Sequence, residues 1–257
     1  MTEEELKRFF AKHQIKATIN HYISSKRAIY YATIGEDHLP ALLFIHGSPA
    51  SLIIYKDYFT DQELLKHFSL YAVDRFGYGV TNDGSESSVQ KQAQVILPLA
   101  ERIHRVHQPL IVVADSNAAS IVCSLVMNHP QIVQALVFSP LLVSGLEKKH
   151  WLASLLHKTF LRNFISKKYL SATAEKKLHQ HELNKMIMLS DKIQIPVFYL
   201  DSEKNSIIFS DNSNSAKNLL TNSPFLNVYF FKRGNQNVYY SYQKEIRNKI
   251  LELYQML

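Results

Sequence analysis

The chain has 257 residues, of which 46% are hydrophobic, enough for one large core in a single α/β domain with a modest insertion. Its formal net charge is +7, yet no nucleic-acid motif accompanies the charge, so nucleic acid is not an expected partner. A lone cysteine, Cys123, excludes an internal disulfide, no Cys/His spacing suggests a metal site, and no apolar run approaches the length of a membrane span.

Residues 2–12 read as a capped amphipathic helix with three glutamates in its first turn. A signal peptide would instead have a basic start and an apolar middle, and the expected location is the cytoplasm. Strands are expected near 28–34, 41–46, 69–73, 109–114, 135–139, 195–200 and 227–232, with helical patterns in most of the intervals. That alternation belongs to a doubly wound sheet. One helix covers 90–107, with Pro98 a candidate bend, and another closes the chain over 241–256 with Tyr242, Ile246, Ile250 and Leu253 on one face. Cys123, on the apolar face of the helix after Ser116, reads as core packing.

The most informative junction lies between the apolar strand Pro109–Ala114 and a helical pattern that runs from Ala118 to His129 and stops before Pro130. A serine presented on a sharp strand-to-helix turn tolerates only small residues two positions away, because larger ones collide with the neighbouring strand or helix. Ser116 has Ala114 and Ala118 there, with Ala119 next. Asp115 is the rival nucleophile, but its flanks are Val113 and Asn117, both too large for such a turn. A plain serine at a helix N-cap would give the same short string.

Two upstream segments weigh against that plainer reading. Ala41-Leu-Leu-Phe-Ile-His-Gly-Ser-Pro-Ala-Ser51 is a buried strand followed by a loop, and Leu70-Tyr-Ala-Val-Asp-Arg-Phe-Gly-Tyr-Gly-Val-Thr81 is a strand with a glycine-punctuated exit. In this order they resemble the α/β-hydrolase superfamily, whose members often show H-G-x-P-G-S and D-R-P-G-Y-G-x-S in these places. The likeness extends through Asn128–Pro140 and Ile195–Leu200, nearly the whole chain. Departures are Ala50 for glycine, Phe76 for proline, and Ala114 and Ala118 for the usual elbow glycines.

The resemblance implies an α/β-hydrolase fold: a doubly wound, mostly parallel sheet built from 1–143 and 191–257, with a small helical lid, 144–190, inserted after the fifth predicted strand. It implies Ser116 at the nucleophile position and an oxyanion hole made of the Ser48 and Asn117 backbone N–H groups. The acid position falls on Asn205 and the histidine position on Asn237 or Gln236, and no histidine follows His181 anywhere in the chain. A carboxamide cannot accept a serine proton near neutral pH. Rescue would have to come from His150, His157, His179 or His181, or from Asp201 and Glu203 beside Asn205. His46 is expected to brace the oxyanion loop, and Asp74 and Arg75 to form an ion pair or turn contact.

Within 144–190, nine lysines and arginines stand against Glu147, Glu175 and Glu182, a balance of +6 out of the chain's +7. Trp151, Leu152, Leu155, Leu156, Phe160 and Phe164 approximate one apolar face. Such a helix either covers the pocket with its basic side simply solvated, or is drawn to an anionic membrane, phosphate or protein. The expected function is a catalytically impaired hydrolase that binds a small apolar or ester-like ligand and needs no cofactor. The alternatives are an active or slow esterase with an unconventional base, and a basic lid docking on an anionic surface.

Overall fold

Three of the predicted strands show no alternation: Ala41–Ile45, Leu110–Ala114 and Ala135–Phe138 are apolar at every position, and every residue is buried. That pattern belongs to strands covered on both faces. In the computed structural model, which describes residues 1–82, 84–139, 168–175, 181–182, 192–202, 220–231 and 238–257, these segments are β3, β5 and β6 of an eight-stranded sheet. The other strands are β1 (Thr18–Ser24), β2 (Arg27–Ile34), β4 (Ser69–Val73), β7 (Val197–Ser202) and β8 (Leu226–Phe231). The order is β1-β2-β4-β3-β5-β6-β7-β8, antiparallel from β1 to β4 and parallel from β4 to β8.

β1 lies outside the predicted strands. Its residues are all exposed or half-buried, and no apolar run marks it. Ser25 and Lys26, which turn the chain into β2, take φ values of 48° and 63°. This is the turn geometry that suits a two-residue hairpin, here without the glycine that flags it in sequence. β7 begins two residues later than expected, after Pro196, whose carbonyl accepts from Leu136 N–H at 2.9 Å.

Helices cover both faces: α1 (Glu3–Lys12), α2 (Gln62–His67), α3 (Val89–Val106), α4 (Ala118–Asn128), α5 (Val238–Ser241) and α6 (Gln243–Tyr254), with a 3₁₀ turn at Leu52–Tyr55. Period-two alternation splits each central strand between two apolar layers. Leu42, Phe44, Ile111 and Val113 join Leu6 and Phe10 of α1 and Ile246 and Ile250 of α6. Leu43, Ile45, Val112 and Leu136 join Ile96 and Leu99 of α3 and Val122 and Cys123 of α4. Each such leucine, isoleucine or phenylalanine contributes roughly 1.5–3 kcal/mol by leaving water. α1 carries the expected cap, with Glu5 N–H donating to Thr2 Oγ1 and Thr2 N–H to Glu5 Oε2.

Of the predicted lid, 168–175 and 181–182 are described, and both are helical. The apolar face predicted from Trp151 to Phe164 and every lysine and arginine of the segment except Lys168 lie outside the described residues, as do Asp83, 203–219 and 232–237. No described helix is long and apolar enough to cross a membrane.

Candidate active site

β5 ends at Ala114 and α4 begins at Ala118, so three residues make the turn between them. Ser116 takes φ +52°, in the left-handed region that costs a non-glycine residue about 1–2 kcal/mol. Ala114 and Ala118 on either side are 1% and 0% exposed, leaving no room for a larger side chain. The helix N-cap is Asn117 rather than Ser116, and the Asn117 side chain makes no capping bond. Neighbouring strand ends hold the turn: Asp115 N–H donates to Ile45 O at 3.0 Å, Ser116 N–H to Ser139 O at 3.0 Å, and Ser139 N–H to Ala114 O at 3.2 Å. A Cβ on Gly47 would stand 3.0 Å from Asp115 O and 3.1 Å from Ser116 Cβ, so the loop after β3 presses directly on this turn.

Asp115, the rival nucleophile, does not take a positive φ, and its side chain is engaged within the protein. Ser139 Oγ donates to its Oδ1 at 2.9 Å. Burial pushes its carboxyl up to about 6, against the opposing pull of Ser139 and the Gly47 N–H. Three buried tyrosines fill the floor: Tyr55 OH donates to Ile45 O at 3.0 Å, Tyr239 OH to Ala114 O at 2.8 Å and Tyr58 OH to Tyr239 O at 2.9 Å. Burial holds all three phenols well above their usual range.

His46 is fully buried and commits both ring nitrogens. Nε2 accepts from Arg75 N–H at 3.0 Å, so the proton sits on Nδ1 and donates to Gly47 O at 2.7 Å. Burial, with the nearby Arg75 charge, lowers its pKa to about 3, and the ring is a neutral brace for the loop. Asp74 accepts from Leu52 N–H at 2.8 Å and Val80 N–H at 2.7 Å, while burial outweighs these bonds and raises its carboxyl to about 7. It is a turn contact. Arg75 finds its ion pair elsewhere, with Glu175 of the helical segment 168–175.

The Arg75 guanidinium is 1% exposed and the Glu175 side chain 5%, a geometry in which each charge requires the other. Arg75 also donates from Nη1 to Gln92 Oε1 at 2.6 Å and from Nε to His46 O at 2.8 Å. Glu175 in turn accepts from Asn117 Nδ2, and Asn117 Oδ1 accepts from Ser48 N–H at 3.0 Å. Of the two main-chain donors expected to form an oxyanion hole, the Ser48 N–H is therefore bonded within the protein. Neither Glu175 nor Gln92 was a predicted site residue. The available signal was an acid beside Lys176 and Lys177 in a basic segment. Tyr239, also missed, follows the turn predicted to hold the base.

Asn205, Gln236 and Asn237 lie outside the described residues, as do His150, His157, His179 and Glu203. His181 is exposed, and Asp201 is buried at the end of β7. Cys123 is buried in α4, where burial pushes its thiol up to about 12.

Sheet order, the flanking helices and the strained serine after β5 define the α/β-hydrolase fold, and this chain has it. Solved structures agree on the architecture. A carboxylesterase of the ammonia-oxidizing thaumarchaeon Nitrososphaera gargenis superposes with a TM-score of 0.73 at 14% identity, covering 93% of this chain and 98% of that one. A loop variant of a haloalkane dehalogenase from Bradyrhizobium elkanii gives 0.71 at 12% identity, over 91% and 95%. A thioesterase domain from the curacin biosynthetic pathway gives 0.64 at 14% identity, over 91% and 99%. No family model matches the sequence, and neither does any curated protein. Likeness at these identities establishes the fold and leaves the reaction open.

Proposed function

We propose that this protein is a catalytically impaired α/β hydrolase that keeps its pocket to bind a small apolar or ester-like ligand. The observation that carries this reading is the Ser48 N–H, bonded to Asn117 Oδ1 at 3.0 Å with the Glu175 carboxylate on the other side of the same amide. Acyl transfer needs free donors where negative charge develops, and losing one such donor costs about 10²–10³ in kcat. Here a donor is occupied, and the amide that occupies it is itself held by the Glu175 carboxylate. The amides at Asn205, Gln236 and Asn237 support the same conclusion from the sequence side, since none can take the Ser116 proton.

The test is a fluorophosphonate probe and a short-chain aryl ester, each with Ser116→Ala as control. The expected result is no Ser116-dependent turnover at ordinary enzyme rates, together with saturable thermal stabilisation by the ester that persists in Ser116→Ala. Rapid Ser116-dependent labelling with turnover of roughly 1–10³ s⁻¹ overturns the reading.

The backbone at Ser116 favours a second reading, a slow esterase. A residue held at φ +52° is strained, and glycine would relieve that strain. Binding and a partly available oxyanion site can leave about 10³–10⁴-fold catalysis over water without a triad. Slow aryl-ester hydrolysis abolished by Ser116→Ala would select this reading.

A further inference from the structure

Glu175 does more than neutralise Arg75. Its Oε1 accepts from Arg75 Nη1 at 3.1 Å and Gln92 Nε2 at 3.3 Å, and its Oε2 from Arg75 Nη2 at 3.3 Å and Asn117 Nδ2 at 2.5 Å. Four donors from three places in the core, the exit of β4, helix α3 and the turn after β5, converge on one carboxylate carried by 168–175. With Nδ2 committed to that anion, Asn117 turns its Oδ1 toward Ser48 N–H at 3.0 Å and Arg75 Nη2 at 3.5 Å. The flipped amide would set oxygen against the carboxylate, and NH₂ against both the Ser48 N–H and the guanidinium, so this orientation is the one the charges permit. A hydrogen bond to an ionised acceptor is roughly twice as strong as a neutral one. The contact with Glu175 therefore governs the amide, and the contact with Ser48 follows from it.

We infer that Glu175 is a positioning residue that closes the Ser48 N–H through the Asn117 side chain, so that the seating of 168–175 on the core controls whether a ligand oxygen reaches that donor. The inference rests on the reading that Ser48 N–H is where this site receives oxygen. The seat itself is close, since a Cβ on Gly77 would stand 2.3 Å from Ser171 Oγ. A carbonyl or carboxylate oxygen gains the Ser48 N–H only by displacing Asn117 Oδ1, which means breaking the Nδ2 bond to Glu175. Cover and donor thus open together.

Residue-resolved amide exchange on the full-length protein tests this without any ligand. Asn117→Ala removes the acceptor, so exchange at Ser48 should rise about tenfold, while 168–175, which loses one of the four donors to Glu175 and keeps Arg75 and Gln92, should loosen less than in Glu175→Gln. Glu175→Gln should raise exchange at Ser48 and at 168–175 together, with the β5 amides Leu110–Ala114 unchanged as the sign that the core is intact. In Glu175→Gln, exchange that rises at 168–175 but not at Ser48 overturns the inference, as does an unchanged Ser48 in Asn117→Ala. Should Glu175→Gln unfold the whole chain, Asn117→Asp decides. It keeps an acceptor for Ser48 and makes the Glu175 contact repulsive, so it must loosen 168–175 while Ser48 stays protected, and a wild-type 168–175 in that variant overturns the inference. None of these readouts needs Ser116 to react, so turnover that defeats the impaired-enzyme reading leaves this one to be judged on Ser48 alone.

Discussion

His46 and Asp115 both bond to the backbone of Gly47 and respond to pH with opposite sign. The folded pKa of His46, about 3, is below its ordinary 6.5, so its contribution to stability is present above 6.5 and is lost as pH falls toward 3. Its ring resonances should accordingly remain those of neutral imidazole at pH 5, and a titration midpoint near 6 would contradict the buried double hydrogen bond. Asp115 is raised from 3.8 to about 6, so its contribution is complete below 3.8 and is lost as pH rises through 6. Asp115→Asn keeps a partner for both Ser139 Oγ and the Gly47 N–H without the ionisation. Urea unfolding should show this variant gaining on the wild type from pH 4 to pH 6 and holding a constant lead above that; a gap independent of pH would remove burial as the cause. Gly79 gives a third residue-level prediction. At φ +54°, a Cβ there would meet Asp74 Oδ2 at 2.0 Å, and that carboxylate is already held by two backbone amides. Gly79→Ala should cost about 3 kcal/mol or more in the same assay, from overpacking and backbone strain together.

Among the elements, helix α3 is finished by a residue from far along the chain. Glu182 Oε2 accepts from Ser88 Oγ at 3.1 Å and Val89 N–H at 3.0 Å, placing a negative charge at the helix N-terminus where the backbone dipoles favour it. Glu182→Ala should lower the unfolding free energy by about 1 kcal/mol, the usual value of a cap, and should speed amide exchange in the first turn of α3. Two of the three acids in the basic segment 144–190 are thus attachment points on the core. The β1–β2 hairpin offers the reverse case. Ser25 and Lys26 both sit at positive φ, and Ser25→Asn combined with Lys26→Gly supplies the residues this turn prefers. The double variant should gain about 1 kcal/mol by thermal or urea unfolding, and no gain would mean that the strain is already relieved by the neighbouring strands.

At the scale of the molecule, what the sequence makes legible is whatever depends on near neighbours or on unbroken apolar runs. Ala114 and Ala118 locate the tight turn at Ser116 because the steric demand acts two residues away. β3, β5 and β6 are evident because both of their faces are covered. β1 stays hidden because an edge strand shares its exposed residues with any loop. The Glu175 contacts are out of reach for a different reason. Arg75 is 100 residues away and Asn117 is 58, so no local periodicity links them, and only closure of the sheet and its cover brings the charges together. The segment's net charge draws attention to its lysines and does not announce the contacts that Glu175 and Glu182 make with the core.

The bond from Ser48 N–H to Asn117 Oδ1 also bears on any attempt to re-engineer this scaffold as a catalyst. Asn237→His with Asn205→Asp would put an imidazole and a carboxylate at the positions the resemblance assigns to base and acid, yet a tetrahedral oxygen at the Ser48 N–H would still compete with a carboxamide for that donor. Shortening Asn117 to alanine preserves its own main-chain N–H and vacates the other. An esterase built on this scaffold therefore calls for three substitutions, one of them on a residue that no comparison of triads would single out.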